Sequence, residues 1–260
     1  MDMKIGVISD LHCGDPRRGL TAPGVIRRFA RGLKKKRLDA IVLAGDVGEP
    51  LFRFTEALDI FIDLGVPVAV LPGNHDVWST REHSSQDLLE HLLPAKTAKR
   101  GFTWLETKNL YLRDSGVAIA GSMAWYDYSA AKAGVLREKS DQAFYDTKGA
   151  FVKDGYLVNW AWTDLEVCRL LREALVKRLD EAQNQSDITS ILLCTHVPIF
   201  PQQRIAERLW DRDPQGDAYY HCWSLGEAVE RYTKKLRWVV SGHTHLPKKD
   251  WHGCPDGHMI

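Results

Sequence analysis

No stretch of this 260-residue chain approaches the roughly 20 apolar residues that a membrane-spanning helix needs. Charge of one sign is also missing. Thirty-five Lys and Arg stand against 34 Asp and Glu, a net charge of +1, so no global field draws the chain to nucleic acid or to an anionic membrane. The local basic runs Lys34–Arg37 and Lys234–Lys235 fall at expected helix ends, where cations suit the dipole. Cysteine is scarce. Cys13, Cys168, Cys194, Cys222 and Cys254 are odd in number and form no C-x-x-C pair, which argues against a disulfide framework. The first strand begins almost at once, leaving no room for a signal peptide, so a cytoplasmic location is expected by elimination. Internal repeats, low-complexity tracts and linkers are absent too, and a single domain over residues 1–260 is expected.

What is present is ordinary for a globular protein: 44% hydrophobic and 27% charged residues. A chain this long buries about three quarters of its unfolded surface, enough for a large core. The first hundred residues alternate strand and helix. Strands are expected at 4–9, 40–44 and 67–71, and helices at 22–37, 51–64 and 84–93. Such alternation reads as βαβ units around a parallel or mixed sheet. Three short runs, 102–105, 110–112 and 117–120, suggest an antiparallel meander that starts a second sheet. Residues 122–163 are aromatic and irregular, and read as a lid or packed insert rather than a platform for stacking bases. A helix at 164–183, a strand at 188–194, a helix at 223–235 and a strand at 237–241 follow. Residues 246–260 look like the start of a hairpin.

Five of the strands end in side chains that ligate metals. Ile5–Ile8 runs into Asp10-Leu11-His12, and Ala40–Leu43 into Gly45-Asp46. Val66–Leu71 runs into Gly73-Asn74-His75-Asp76, Ile191–Cys194 into Thr195-His196, and Trp238–Val240 into Gly242-His243-Thr244-His245. Binding crevices of open α/β sheets lie at the carboxyl ends of strands. Carboxylate, imidazole and amide together suit Mn, Fe or Zn, and no thiolate other than Cys13 is on offer. If one carboxylate bridges, two ions fit at the ~3.5–4 Å separation used for phosphoryl displacement. Glycines before Asp46, Asn74 and His243 permit tight turns beside these side chains. His83, His91, His221, His252 and His258 stand outside the pattern and are read as surface or packing residues.

The blocks D-x-H, G-D, G-N-H-D, H and G-H-x-H, in this order from residue 10 to 245, resemble the calcineurin-like metallophosphoesterase superfamily. The resemblance implies that family's α-β-β-α sandwich of two mixed sheets in one domain. It implies two divalent transition-metal ions, Mn first and Fe or Zn as alternatives. Asp10, His12, Asp46 and His245 would hold one ion and Asp46, Asn74, His196 and His243 the other. A hydroxide between the ions would attack phosphorus, His75 would protonate the leaving oxygen, and Asp76 would orient His75. Glu49 stands where family members often carry an acidic residue. No Arg follows Gly45-Asp46, unlike the protein serine/threonine phosphatase branch, whose arginines grip a monoester dianion. The chain better resembles small bacterial-type phosphodiesterases. The expected activity is hydrolysis of a small phosphodiester, with a nucleotide among the candidates. A phosphomonoesterase and a scaffold without catalysis on the same fold are the alternatives. No membrane partner is expected, and no nucleic-acid signal stands out.

Overall fold

The computed structural model describes residues 3–15, 21–204, 214–245, 249–250 and 252. The expected hairpin at 246–260 falls largely outside the described residues. Two four-stranded sheets form the centre. In the first, β1 (Ile5–Ile8), β2 (Ala40–Ala44), β3 (Val68–Leu71) and β4 (Thr103–Trp104) lie side by side, all parallel. In the second, β5 (Leu110–Leu112) is antiparallel to β6 (Val117–Ser122), and β6, β7 (Ser190–Thr195) and β8 (Leu236–Ser241) are parallel.

This corrects the expected three-stranded meander. Only β5 and β6 form a hairpin. The run at 102–105 pairs through Thr103 and Trp104 with Ala69 and Val70 of β3, and so closes the first sheet. Its backbone continues that ladder, Leu105 N donating to Val70 O at 2.8 Å.

Strand alternation decides which side chains face which layer. In β2, Ala40, Val42 and Ala44 face the second sheet, while Ile41 and Leu43 face outward. In β7, Leu192 and Cys194 meet them from the other side, and Ile191 and Leu193 point away. Helices cover both outer faces, giving the α-β-β-α sandwich. On the first sheet lie α1 (Pro23–Lys34) and α2 (Leu51–Phe61), which buries Phe54, Ala57, Leu58 and Phe61. There too α3 (Ser85–Asp87) passes through a π turn (Leu88–Leu92) into α4 (Leu93–Ala98).

The segment after β6 carries α5 (Ser129–Lys132), α6 (Asp141–Phe151) and α7 (Asp154–Leu157). Its aromatics are not an exposed platform. Trp125, Tyr126, Tyr128 and Phe144 are fully buried in the core of the first layer. Trp125 Nε1, Tyr128 Oη and Lys148 Nζ all donate to Asp164, at 2.7, 2.5 and 2.7 Å. Asp164 begins α8 (Asp164–Asn184), which packs Val167, Cys168, Leu171, Leu175 and Leu179 inward. A capping box between Thr163 and Glu166 starts that helix. Then come α9 (Asp217–Tyr220) and α10 (Trp223–Val229), the latter on the outer face of the second sheet. No helix among the described residues is long and apolar enough to cross a membrane.

Because β1, β2 and β3 are parallel, as are β7 and β8, all five sequence blocks leave their strands at carboxyl ends. The two sheets face each other, so these ends meet along one edge.

Candidate metal centre

The loops that leave the strands are laced to one another by backbone hydrogen bonds. Asp10 N donates to Gly45 O (3.0 Å), His12 N to Asp46 O (2.8 Å), and Gly242 N to His196 O (3.0 Å). The loops are tightly wound. Asp10, His12, Asp46, His243 and His245 all have positive φ, from 42° to 69°. Outside glycine this conformation is uncommon and costs roughly 1 kcal/mol or more per residue, and it clusters at functional sites. Gly45 (φ 89°) precedes Asp46 in the same turn. Gly73 is there for a different reason: a Cβ on it would lie 2.1 Å from Asp46 Oδ1.

The side chains converge. Ligand atoms of Asp10, His12, Asp46 and His245 lie within 4.8 Å of one another and could hold a cation. Within this set His245 Nε2 is 3.1 Å from Asp10 Oδ1, and His12 Nε2 is 3.3 Å from Asp46 Oδ2. The two Nε2 atoms of His12 and His245 face each other at 3.2 Å. Asp46 spends its other oxygen elsewhere. Oδ1 is 3.3 Å from His196 Nε2 and accepts from His75 N at 3.0 Å. Asn74 Oδ1 is 3.1 Å from the same His196 Nε2. His243 is joined to this second group by ring packing on His196, with centroids 5.1 Å apart. The Asp46 carboxylate thus faces both groups, one oxygen to each.

Tautomers and charges suit cations at these positions. His196 Nδ1 donates to Ala44 O at 3.1 Å, so Nε2 is the ring atom turned toward Asp46 and Asn74. Burial acts downward on this imidazole, but Asp46 and Asp10 outweigh it and raise it to about 9, so Nε2 carries a proton whose place a cation would take. The buried Nε2 of His243 has no hydrogen-bond partner among the described residues. Burial and the charge of His196 push the His243 imidazole down to about 3, so it is neutral and offers a lone pair. For Asp10, burial acts upward, but the contact with His245 and the charge of His196 outweigh it and bring the carboxyl to about 2. For Asp46 burial is likewise outweighed by His196 and His75, and its carboxyl sits well below the usual range. Two ionised carboxylates, buried among imidazole nitrogens, fit divalent cations. The donor set is oxygen and nitrogen only; Cys13 is buried and its thiol is pushed up to about 11, chiefly by desolvation.

His75 sits at the rim of this cluster, on a 3-10 turn (His75–Val77), with Nε2 3.9 Å from Asp46 Oδ2. Asp76 does not orient it, contrary to the sequence-based expectation. The Asp76 carboxylate points the other way and accepts from Gly73 N (2.8 Å), Gly48 N (2.9 Å) and Val47 N (3.1 Å). It clips the Asp46 loop to the Asn74 loop. The turn is the cause: adjacent residues on a 3-10 turn project in different directions. The carboxylate on His75 is Glu49, whose Oε1 lies 3.1 Å from His75 Nδ1. Trp78 stacks on the His75 ring with centroids 3.6 Å apart.

Two further residues carry no motif. Asp154, on the aromatic segment, accepts from Asn74 Nδ2 (3.0 Å) and Trp78 Nε1 (2.7 Å). Only the alternation of buried and polar residues around it, too irregular to read, would have marked either Asp154 or Trp78 in advance.

Comparison with known proteins bears on the same geometry. A probable cyclic nucleotide phosphodiesterase of Fibrobacter succinogenes is 29% identical over 137 residues, 50% of this chain and 52% of that protein. The chain therefore spans about half the length of this curated relative. The crystal structure of phosphopantetheinyl hydrolase (PptH) from Mycobacterium tuberculosis aligns with a TM-score of 0.70 at 20% identity, covering 99% of this chain and 87% of that one. A dimetal phosphatase from Danio rerio aligns with a TM-score of 0.52 at 14% identity, covering 99% and 85%. At such identities these two structures speak for the fold alone. The model of the calcineurin-like phosphoesterase family matches residues 3–247. With that match over nearly its whole length, the chain belongs to the calcineurin-like phosphoesterases.

Proposed function

We propose that this chain is a metal-dependent hydrolase of phosphoric esters that cleaves a small phosphodiester, a nucleotide in the first instance, with two divalent ions of which manganese is the first choice. The observation that carries the reading is the position of Asp46, with Oδ2 toward His12 and Oδ1 toward His196. Asp10, His12, Asp46 and His245 would hold one ion, and Asp46, Asn74, His196 and His243 the other. Bound there, the ions supply Lewis acidity toward a phosphoryl oxygen and lower the pKa of water. The chain's own residues do the rest. His75, at the rim, donates a proton from Nε2 to the leaving oxygen, while Glu49 holds Nδ1 and so sets the tautomer. Trp78 fixes the ring plane by stacking. Asp76 ties the Asp46 loop to the Asn74 loop by its three backbone hydrogen bonds.

The preference for a diester rests on what surrounds these groups. No Arg or Lys hydrogen-bonds to, or pairs with, Asp10, His12, Asp46, Asn74 or His75 among the described residues. Glu49 adds a further negative charge beside His75. A monoester dianion would meet carboxylates without a guanidinium to offset them, whereas a diester carries a single charge. The named activity of the Fibrobacter relative supports a nucleotide, and four described cysteines that are free thiols accord with a cytoplasmic setting. The test compares kcat/KM for bis(p-nitrophenyl) phosphate and p-nitrophenyl phosphate on the Mn-loaded protein. The diester is expected to be the better substrate; a tenfold advantage for the monoester rejects the diester assignment and makes the chain a phosphomonoesterase.

A further inference from the structure

Asn74 presents a problem that its own backbone does not solve. A carboxamide has an oxygen and a nitrogen end of nearly equal size, and only the oxygen can ligate a cation. A flip of the terminal torsion would turn an NH2 group on the centre. The structure holds one orientation, with Oδ1 3.1 Å from His196 Nε2 and Nδ2 turned away. What meets Nδ2 is Asp154, at 3.0 Å to Oδ1 and 3.2 Å to Oδ2. An ionised carboxylate only accepts, so it can satisfy the NH2 end and not the carbonyl end.

Asp154 lies 80 residues further along the chain than Asn74, at the start of α7, and is 1% exposed. The groups around its oxygens are all donors. Besides Asn74, Trp78 Nε1 donates to Oδ1 at 2.7 Å and the Tyr126 hydroxyl to Oδ2 at 3.4 Å. Burial raises the Asp154 carboxyl above the usual range in spite of the donors from Asn74 and Trp78. A carboxylate kept in such a place is costly unless it has a task there. Both contacts that Asp154 makes toward the centre lead to functional atoms: Asn74 to the second cation position, and Trp78 to the ring of His75, on which it stacks.

We propose that Asp154 is a positioning residue for the second metal ion: it sets the amide orientation of Asn74 and, through Trp78, steadies His75. This rests on the reading of Asn74 as a ligand given above. The aromatic segment after β6 is then part of the frame of the metal centre, since it delivers the residue that completes Asn74. Partners that orient metal ligands from behind are worth about 10–100-fold in metal affinity.

The experiment is calorimetric titration of metal-stripped, full-length protein with MnCl2. The wild type is expected to take two ions. Asp154→Leu, of similar size, removes both acceptors of Asn74 Nδ2 and is expected to weaken the second ion by about 10–100-fold and spare the first, whereas Asp154→Asn keeps one oxygen for Asn74 and Trp78 and should weaken it less. Asn74→Asp sets two buried carboxylates against each other and should lose the second ion as well. The double variant Asn74→Asp/Asp154→Asn recreates the pair with donor and acceptor exchanged, and is expected to bind the second ion more tightly than Asn74→Asp alone. Such a rescue does not arise from a merely structural role. Unchanged second-ion affinity in Asp154→Leu, or a double variant no better than Asn74→Asp alone, overturns the proposal while leaving the two-ion reading intact. A wild type that takes fewer than two ions overturns that reading and this proposal with it.

Discussion

Glu49 Oε1 lies 3.1 Å from His75 Nδ1, and this is the contact that decides which His75 nitrogen faces the site. With Nδ1 engaged by a carboxylate, Nε2 is the atom turned toward Asp46, 3.9 Å from Oδ2. The arrangement holds a proton on an imidazole that burial alone would strip: desolvation acts downward on His75, and Asp46 and Glu49 outweigh it. Glu49→Ala is expected to lower kcat by about 10²-fold on a diester with an alkoxide leaving group, the low end of what general acid catalysis contributes. With nitrophenolate as leaving group the loss should be several-fold smaller. Equal losses on the two substrates would show that Glu49 acts on something other than proton transfer.

His75 itself makes a sharper case. It is not among the residues proposed to hold either ion, so His75→Asn should keep the metal content of the wild type by elemental analysis. Its kcat should fall by roughly 10²–10⁴-fold on a poor leaving group. If the metal content drops along with activity, His75 belongs to the ligands and the general-acid assignment fails.

Asp46 is the residue on which both proposed cation positions would depend. Replacing any one-ion ligand, for instance Asp10→Asn or His243→Ala, should weaken one binding event in a Mn titration. Asp46→Asn should weaken both, because Oδ1 and Oδ2 face different groups. A variant that loses one ion only would place Asp46 at a single site.

Away from the centre, the buried Lys148–Asp164 pair joins the aromatic segment to α8, with side chains 6% and 1% exposed. Asp164→Ala leaves the ammonium without its partner and removes the acceptor of Trp125 and Tyr128 as well. Loss of one member of a buried pair costs about 3–5 kcal/mol. Urea denaturation should show that loss as a lower midpoint with little change in slope.

The convergence of the five blocks is legible in the sequence because each follows a strand, and parallel strands carry their ends to one edge whatever the loops do later. Periodicity likewise marked α2, α8 and the strands of both sheets. What adjacency could not supply was direction. His75 and Asp76 are neighbours in sequence, yet the turn sends one to the rim and buries the other under the loops. Glu49 offered only its distance from Asp46. Asp154 offered nothing: its link to Asn74 spans 80 residues and needs the folded segment after β6 to exist. The strand at 103–104 was assigned to the wrong sheet for a related reason, since a two-residue ladder is chosen by what lies beside it and not by its own side chains.

Gly73 ties the local backbone to the centre most directly, and gives the prediction with the plainest geometry. A Cβ there would sit 2.1 Å from Asp46 Oδ1, 2.4 Å from Asp46 N and 2.8 Å from Asp46 Cγ. Two of those atoms belong to the carboxylate shared by both cation positions and the third to backbone, so no flexible side-chain tip can yield. Gly73→Ala must push the Asn74 loop and the Asp46 loop apart, against the hydrogen bonds that Asp76 makes to both. Overpacking of this kind costs about 1–3 kcal/mol. The control is Gly32→Ala in α1, where the added Cβ meets nothing within 4 Å. In a helix that exchange is worth about 0.5–1 kcal/mol of added stability. Thermal unfolding should therefore move the two variants in opposite directions, and only Gly73→Ala should lose affinity for both ions in a Mn titration. A Gly73→Ala protein that is as stable as the wild type and still takes two ions would mean that the two loops are looser than this packing allows.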